Sequence, residues 1–323
     1  MQSARWRQAG IELCFTKEKF NLSLKISCSG ASMARTSPLE DCIAALSQAG
    51  YDTVDFWLYS YSEKPGAPML RENWRDWVDH ARRRLETAGL TSGQVHCAWI
   101  HGSAIRDDLS WDVPAPVFHR SIEACALLNC RRLIFHPIFY RRRIDSDALR
   151  QRLLDINVAW FRALLPTAER FDVEIHLENT FDFAHVQQSG DAGFMCTTAS
   201  EMLYLADRLN HPLVKLCLDT GHAHISGQDI PDMIRAFGSK LGSLHLNDNY
   251  GLIGPIYEDL HLFPSYGGIE WTEVLRALKA IGFSGSLNIE PVGELPRLKQ
   301  TLRVLQLRTA RELLAVMAAD AGL

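Results

Sequence analysis

Residues 214–224 read VKLCLDTGHAH, a short apolar run that ends in an aspartate and turns at once into a polar segment. Such a run of β-prone residues is typical of a strand that is buried on both faces of a parallel sheet. The pattern recurs along the chain, and the sequence predicts eight strands. These are LKIS (24–27), TVDFW (53–57), GQVHC (93–97), RLIFH (132–136), VEIHLE (173–178), VKLCLD (214–219), GSLHLN (242–247) and GSLNIE (285–290).

Stretches with a helical period of apolar residues fill the intervals between these strands. The stretch PLEDCIAALSQAG has Glu40 and Asp41 in its first turn and ends at Gly50, which suits a helix with an acidic start and a glycine C-cap. Two further helical stretches end in the same way, at Gly89 and Gly282. Repeated βα units without an interrupting linker predict a single (β/α)₈ TIM barrel of the α/β class.

Composition narrows the classes of protein to which the chain can belong. The 323 residues are 47% hydrophobic, and 34 Lys and Arg against 38 Asp and Glu give a net charge of -4, so we expect no nucleic-acid partner. The eight cysteines form no CxxC pair, which favours free thiols in the cytoplasm. No signal peptide or apolar membrane span is apparent, so we expect no membrane contact. We interpret residues 1–20 as an N-terminal extension and residues 21–323 as the barrel.

Acidic or imidazole side chains lie at the ends of the last four predicted strands: Glu178, Asp219, His245 and Glu290. The carboxyl ends of all strands in a parallel barrel face the active-site mouth. Three carboxylates and one imidazole suit Mn²⁺, Mg²⁺ or Co²⁺ and also tolerate Zn²⁺. Without a cation, the converging carboxylates would repel one another. The sequence therefore predicts a site for a divalent metal ion.

Further donors surround these four side chains. They are His96, His136, His222, Asp259 and His261. One isolated histidine is usually a hydrogen-bonded core or loop residue, and we interpret His176 and His224 in that way. Donors from six successive strand ends would instead share one mouth, so we expect the five to bind substrate or to act as additional metal ligands.

Four further side chains lie near the ends of the second, third and fourth strands: Asp55, Trp57, Trp99 and Phe139. The three aromatic side chains either fill the barrel or form an apolar wall beside a bound substrate.

The chain resembles the xylose-isomerase-like barrel superfamily, which includes sugar phosphate isomerases and epimerases and metal-dependent apurinic-site endonucleases. The motifs that carry the resemblance are LENT (177–180), CLDTGHAH (217–224), HLNDN (245–249), DLHLFPSYGGIEW (259–271) and NIEP (288–291). The resemblance implies that Glu178, Asp219, His245 and Glu290 hold one ion of the Mn²⁺ type. It also implies that Glu178 and Glu290 exchange protons with a ketose through an enediolate, as an isomerase or epimerase of carbohydrate metabolism. Small-molecule sugars or polyols are then the expected substrates, with Asp55 placed to hold a sugar hydroxyl and the aromatic side chains placed to stack on the C–H face of the sugar.

Other activities of this superfamily remain open from the sequence. A lyase acting on an inosose-like or dehydroshikimate-like ketone would use the same ligands. The endonucleases use nine donors for three zinc ions, and all nine are matched here. Against that activity, KISCSGASMARTSP lacks the Gly-x-His-x-Ser start of those enzymes, and Asp55 would repel a phosphodiester.

Two features of the substrate and the assembly are not decided by the sequence. Gly251 stands where some ketose epimerases place a substrate-binding arginine, so free sugar and sugar phosphate are both open. Arg141, Arg142 and Arg143 are one candidate place for a phosphate, but we favour a solvated basic turn for them. Barrels of this kind often associate, and a homo-oligomer is possible. A barrel without enzymatic activity would be expected to lack some of the strand-end donors, and none is missing.

Overall fold

Eight parallel strands form the central sheet. The computed structural model describes residues 22–98, 104–140, 142, 144–181, 195–251, 259–293 and 295–323. Its strands are β1 (Ile26–Ser29), β2 (Thr53–Trp57), β3 (Thr91–His96), β4 (Arg132–Phe135), β5 (Glu174–Glu178), β6 (Val214–Asp219), β7 (Leu241–His245) and β8 (Leu287–Ile289). The strand order is β8-β1-β2-β3-β4-β5-β6-β7, with every neighbour parallel.

The sheet closes into a barrel between β7 and β8, the two strands at the ends of this order. The Leu246 amide donates to the Asn288 carbonyl at 2.7 Å, and the Glu290 amide donates to the Leu246 carbonyl at 3.1 Å. These two bonds join the end of β7 to β8. The predicted (β/α)₈ barrel is therefore confirmed.

One helix follows each strand. The helices are α1 (Leu39–Ala49), α2 (Trp74–Thr87), α3 (Pro116–Leu127), α4 (Asp147–Phe171), α5 (Ala199–Leu209), α6 (Ile230–Phe237), α7 (Trp271–Ala280) and α8 (Gln300–Ala321). Gly50 and Gly282 follow α1 and α7 with φ angles of 90° and 65°, the left-handed conformation that glycine adopts without strain. Shorter helices at Ala31–Ala34 and Thr220–Ile225 lie directly after β1 and β6.

Six predicted strands differ from the structure by one or two residues at one or both ends, and the first and last strands matter most for the site. The first strand begins at Ile26 rather than at residue 24, because Leu24 lies in a bend ahead of the sheet. The last strand is only three residues long, and Glu290 follows it. The shift places Ser29, the last residue of β1, beside Asp55 of β2.

Apolar strand residues pack outward against the helices, and polar ones fill the barrel interior near its mouth. Val54, Phe56, Leu216 and Leu218 are fully buried members of the apolar core. Side chains alternate along a strand, so Asp55 lies on the opposite face from Val54 and Phe56. The interior at this level is therefore a hydrogen-bonded polar layer.

The seven cysteines among the described residues are all free and buried. Within the described ranges, no helix combines the length and the apolar composition needed to cross a membrane. The proposed extension at residues 1–20 lies outside the described residues.

Candidate metal centre and active site

The four predicted metal ligands converge at the mouth of the barrel. His245 Nδ1 lies 2.7 Å from Glu178 Oε1, 3.2 Å from Glu290 Oε2 and 4.0 Å from Asp219 Oδ2. The donor atoms of the four side chains all lie within 4.8 Å of one another, and all four side chains are buried. Three carboxylates brought this close need a compensating positive charge, and this donor set fits a divalent metal ion.

The strand ends set the positions of these ligands. Glu178, Asp219 and His245 are the last residues of β5, β6 and β7, and Glu290 directly follows β8. A parallel barrel brings such positions to one rim, whatever their separation in sequence. The fold therefore brings the four ligands together at one rim.

Hydrogen bonds orient the Asp219 carboxylate. Its Oδ1 accepts from the His222 amide at 2.7 Å, where it caps the short helix that follows β6, and its Oδ2 accepts from Asn247 Nδ2 at 2.7 Å. A Cβ atom on Gly221 would lie 1.8 Å from Asn247 Oδ1. Glycine at position 221 therefore gives Asn247 the space to reach the ligand.

His96 and His136 form a second group of donors on one side of Glu178. Their Nε2 atoms are 3.2 Å apart, and they lie 3.5 Å and 3.0 Å from Glu178 Oε2, respectively. The donor atoms of His96, Glu178 and His245 also lie within 4.8 Å of one another. Glu178 is thus shared between two donor groups.

His222, Asp259 and His261 form a third group on the other side. Asp259 Oδ2 lies 2.9 Å from His261 Nε2 and 3.4 Å from His222 Nε2, while His261 Nδ1 lies 3.5 Å from Glu290 Oε2. His261 adopts a φ angle of 44°, which a residue other than glycine rarely takes. The donor atoms of Asp219, His222 and His261 also lie within 4.8 Å of one another, so these three side chains could hold a metal ion.

Protons on the imidazoles balance the carboxylates in the metal-free site. Burial works against a charge on His245, but Glu178 and Glu290 raise its pKa well above the usual value. Burial likewise opposes a charge on His222, and Asp219 with Asp259 raises its pKa to about 10. Despite burial, His136 and His245 hold the pKa of Glu178 well below its usual value. A divalent cation would replace these protons.

A cavity of about 310 Å³ opens above the donors. Its lining includes His96, His136, Glu178, His222, Asp259, His261 and Glu290. Five further side chains complete the lining, and none of them is predicted by the sequence pattern: Arg35, Tyr59, Glu63, Phe181 and Val292. Arg35, Tyr59 and Glu63 lie in the segments just after β1 and β2, so their position after a strand was the one available signal.

Two predicted substrate contacts do not line this cavity. Asp55 is fully buried below the donors, where its Oδ2 lies 2.9 Å from His245 Nε2. Trp57 is also fully buried, and its ring occupies the space beside Gly30, where a Cβ atom would lie 2.2 Å from the indole. The prediction that these two side chains contact a sugar is therefore corrected.

The remaining predictions fall into three groups. Phe139 lies beside the donors, with its ring centroid 6.4 Å from that of His136. His176 lies between Ser243 Oγ at 2.7 Å and Glu174 Oε2 at 3.1 Å, as expected of a core histidine. Trp99, Arg141 and Arg143 lie outside the described residues, and Arg142 pairs with Asp107.

Comparisons with known proteins relate the chain to sugar epimerases, inosose isomerases and an endonuclease. A D-psicose 3-epimerase of Enterocloster bolteae is 30% identical over 159 residues, 49% of this chain and 45% of that protein. An inosose isomerase of Bacillus subtilis is 26% identical over 188 residues, 57% of this chain and 62% of that protein. A probable endonuclease 4 of Mycoplasma mycoides is 25% identical over 217 residues, 64% of this chain and 68% of that protein. The chain thus aligns with about half the length of the epimerase and about three fifths of the isomerase.

A solved structure and a family model extend the likeness over most of the chain. The crystal structure of IOLI protein with a binding zinc atom superposes with a TM-score of 0.69 at 18% identity, covering 92% of this chain and 99% of that one. This likeness concerns the fold. The sequence model of the xylose isomerase-like TIM barrel matches residues 43–308. The chain belongs to the xylose isomerase-like TIM barrel family.

Proposed function

We propose that this protein is a divalent-metal-dependent isomerase or epimerase of a sugar or polyol, with Glu178 and Glu290 as its acid/base pair. The observation that carries this proposal is the pair of glutamates on either side of His245 Nδ1, at 2.7 Å and 3.2 Å, beneath an open cavity. The cavity of about 310 Å³ is of a size that holds a small ligand. The related D-psicose 3-epimerase and inosose isomerase support the same class of reaction.

The donor chemistry favours one ion held by Glu178, Asp219, His245 and Glu290. Mn²⁺ is our first choice, with Mg²⁺, Co²⁺ and Zn²⁺ as alternatives, because oxygen donors outnumber nitrogen three to one. When bound, such an ion supplies Lewis acidity that polarises a substrate carbonyl. The zinc-bound relative keeps zinc among the alternatives.

The two glutamates would move the proton. One carboxylate removes the proton from the carbon beside the substrate carbonyl, and the other returns a proton to the resulting enediolate. Return to the opposite face inverts that carbon, and return to the neighbouring carbon isomerises the sugar. His222 and His261, which line the cavity, are placed to donate hydrogen bonds to substrate oxygens.

The two flanking donor groups favour a second candidate, a zinc phosphodiesterase resembling the apurinic-site endonucleases. Three overlapping groups of donors would suit three metal ions, and a probable endonuclease 4 is among the relatives. The net charge of -4 argues against a nucleic-acid substrate. We therefore place the sugar enzyme first.

We also propose that the protein acts in the cytoplasm, in carbohydrate metabolism. The free cysteines support this location.

Arg35 bears on whether the substrate is a neutral sugar or carries an anionic group such as a phosphate. It is the one arginine or lysine that lines the cavity among the described residues, and its side chain is exposed. Its guanidinium forms no ion pair within the described part of the chain. We propose that it binds a phosphate or carboxylate group of the substrate, in place of the arginine that is absent at Gly251.

Metal binding should release protons from the site. The pKa of His222 is raised to about 10 and that of His245 is also raised, so both imidazoles carry an extra proton near neutral pH, and His245 must lose its proton to bind a metal. We expect Mn²⁺ affinity to rise with pH from 6 to 8. Calorimetric titration in two buffers of different ionisation enthalpy measures the protons released, and identical heats in both buffers would contradict the assignment.

Glu290→Gln tests the acid/base role. The amide keeps the size of the side chain but cannot accept the proton, so we expect solvent-deuterium incorporation into a ketose to fall about 100-fold or more. Glu273→Gln on the exposed face of α7 is the matched control and should leave exchange unchanged. Metal content is measured for both variants. Exchange at the wild-type rate in metal-loaded Glu290→Gln protein would rule out Glu290 as an essential base.

Arg35→Gln tests the proposed anion contact. We expect KM for a ketose phosphate to rise about tenfold or more, because a hydrogen bond to a charged group contributes roughly 1.5–3 kcal/mol. KM for the unphosphorylated ketose should stay nearly constant. Arg276→Gln, which removes an exposed arginine of α7, is the control. An equal rise for both substrates would show that Arg35 does not select for the anion.

A further inference from the structure

A buried carboxylate lies directly beneath the metal-binding donors. Asp55, in the middle of β2, has no exposed surface. Its Oδ2 accepts hydrogen bonds from three side chains: His245 Nε2 at 2.9 Å, Gln94 Nε2 at 3.2 Å and Asn288 Nδ2 at 3.2 Å. Strands β3, β7 and β8 thus each hold the same oxygen in place.

The imidazole of His245 connects this carboxylate to the candidate metal centre. Nδ1 faces Glu178 and Glu290, whereas Nε2 faces Asp55. The ring of His96 stacks on that of His245 with centroids 5.5 Å apart and an interplanar angle of 5°. A metal ion on Nδ1 requires the ring proton on Nε2, and Asp55 is the acceptor for that proton.

We propose that Asp55 is a positioning residue for the metal centre, which fixes the tautomer and the orientation of His245 and increases its basicity as a ligand. The inference rests on the proposed function only in requiring that His245 bind a metal ion. It replaces the role of sugar contact that the sequence suggested for Asp55. Histidine ligands of metals commonly donate their second ring proton to a carboxylate in this way.

The energetics of burial point in the same direction. No lysine or arginine pairs with Asp55 among the described residues, and its Oδ1 has no hydrogen-bond partner there. A buried carboxylate with one unsatisfied oxygen costs stability, and an apolar side chain would fill the same space at lower cost. Asp55 therefore contributes something other than packing. Among the described residues, the one ionisable side chain that Asp55 contacts is the imidazole of His245, so we assign its contribution to the positioning of that ring.

A neutral variant separates positioning from packing. Asp55→Asn keeps the volume and one acceptor oxygen but removes the charge. We expect the Kd of the metal-free protein for Mn²⁺ and for Zn²⁺ to rise about 10- to 100-fold, the usual effect of losing such a partner. Binding is measured by competition with a chelator, and the melting temperature of the metal-free protein is recorded alongside it.

Asp248→Asn is the matched control. Asp248 is equally buried, but its Oδ2 accepts from Trp271 Nε1 at 2.8 Å and from the Ser265 amide at 3.1 Å, away from the four ligands. We expect this variant to melt at a lower temperature and yet bind metal with the wild-type Kd. Wild-type metal affinity in Asp55→Asn, or equal weakening in both variants, would overturn the proposal.

A measurement on the wild-type protein covers the case in which Asp55→Asn does not fold. In Zn²⁺-loaded protein with ¹⁵N-labelled histidine, NMR should show His245 protonated on Nε2 and bound to metal through Nδ1. The opposite tautomer would overturn the role of Asp55 while leaving the metal centre intact. Absence of any metal binding by the wild-type protein would instead remove the proposed function.

Discussion

Three buried carboxylates meet around one imidazole at the mouth of this barrel, and their mutual repulsion is the constraint on which the site depends. Glu178, Asp219 and Glu290 all lie within reach of His245 Nδ1. In the metal-free protein, protons on His245, His222 and His261 offset the negative charge. A divalent cation would provide the same compensation at one point, with donors already in place, so binding needs little rearrangement.

The barrel makes this crowding possible because its hydrogen-bonded strands fix the ligands. Asn179 and Asn247 act as supports: Asn179 Nδ2 donates to the Asp219 backbone carbonyl at 3.0 Å, and Asn247 Nδ2 donates to the Asp219 carboxylate. Asp55 lies one level deeper, beneath His245. Asp219 and His245 are therefore held by groups that do not line the cavity, and rigidity of this kind favours a defined metal geometry.

The sequence predicted the features that depend on strand ends. Glu178, Asp219 and His245 end apolar runs, and a parallel barrel brings such ends together, so their proximity followed from the fold alone. The depth of a side chain within the barrel did not follow. Asp55 lies in the middle of β2 and below the donors, and Trp57, the last residue of β2, fills the space beside Gly30.

Three side chains that line the cavity from the segments after β1 and β2 were not predicted from the sequence. Arg35, Tyr59 and Glu63 reach the cavity through segments whose paths depend on tertiary packing rather than on local period. Arg35 matters most, because the sequence had found no cation near the mouth apart from the run at residues 141–143. The segments after the strands thus supply the side chain that we propose to bind the substrate anion, whereas the strand ends supply the proposed metal ligands.

Metal stoichiometry tests the central claim most directly. After removal of metal with a chelator and reconstitution with Mn²⁺ or Zn²⁺, elemental analysis should find one tightly bound divalent ion per chain, and His245→Ala should retain almost none. A wild-type chain that binds no ion would contradict the metal centre. Three zinc ions per chain would contradict the mononuclear sugar enzyme in favour of the phosphodiesterase.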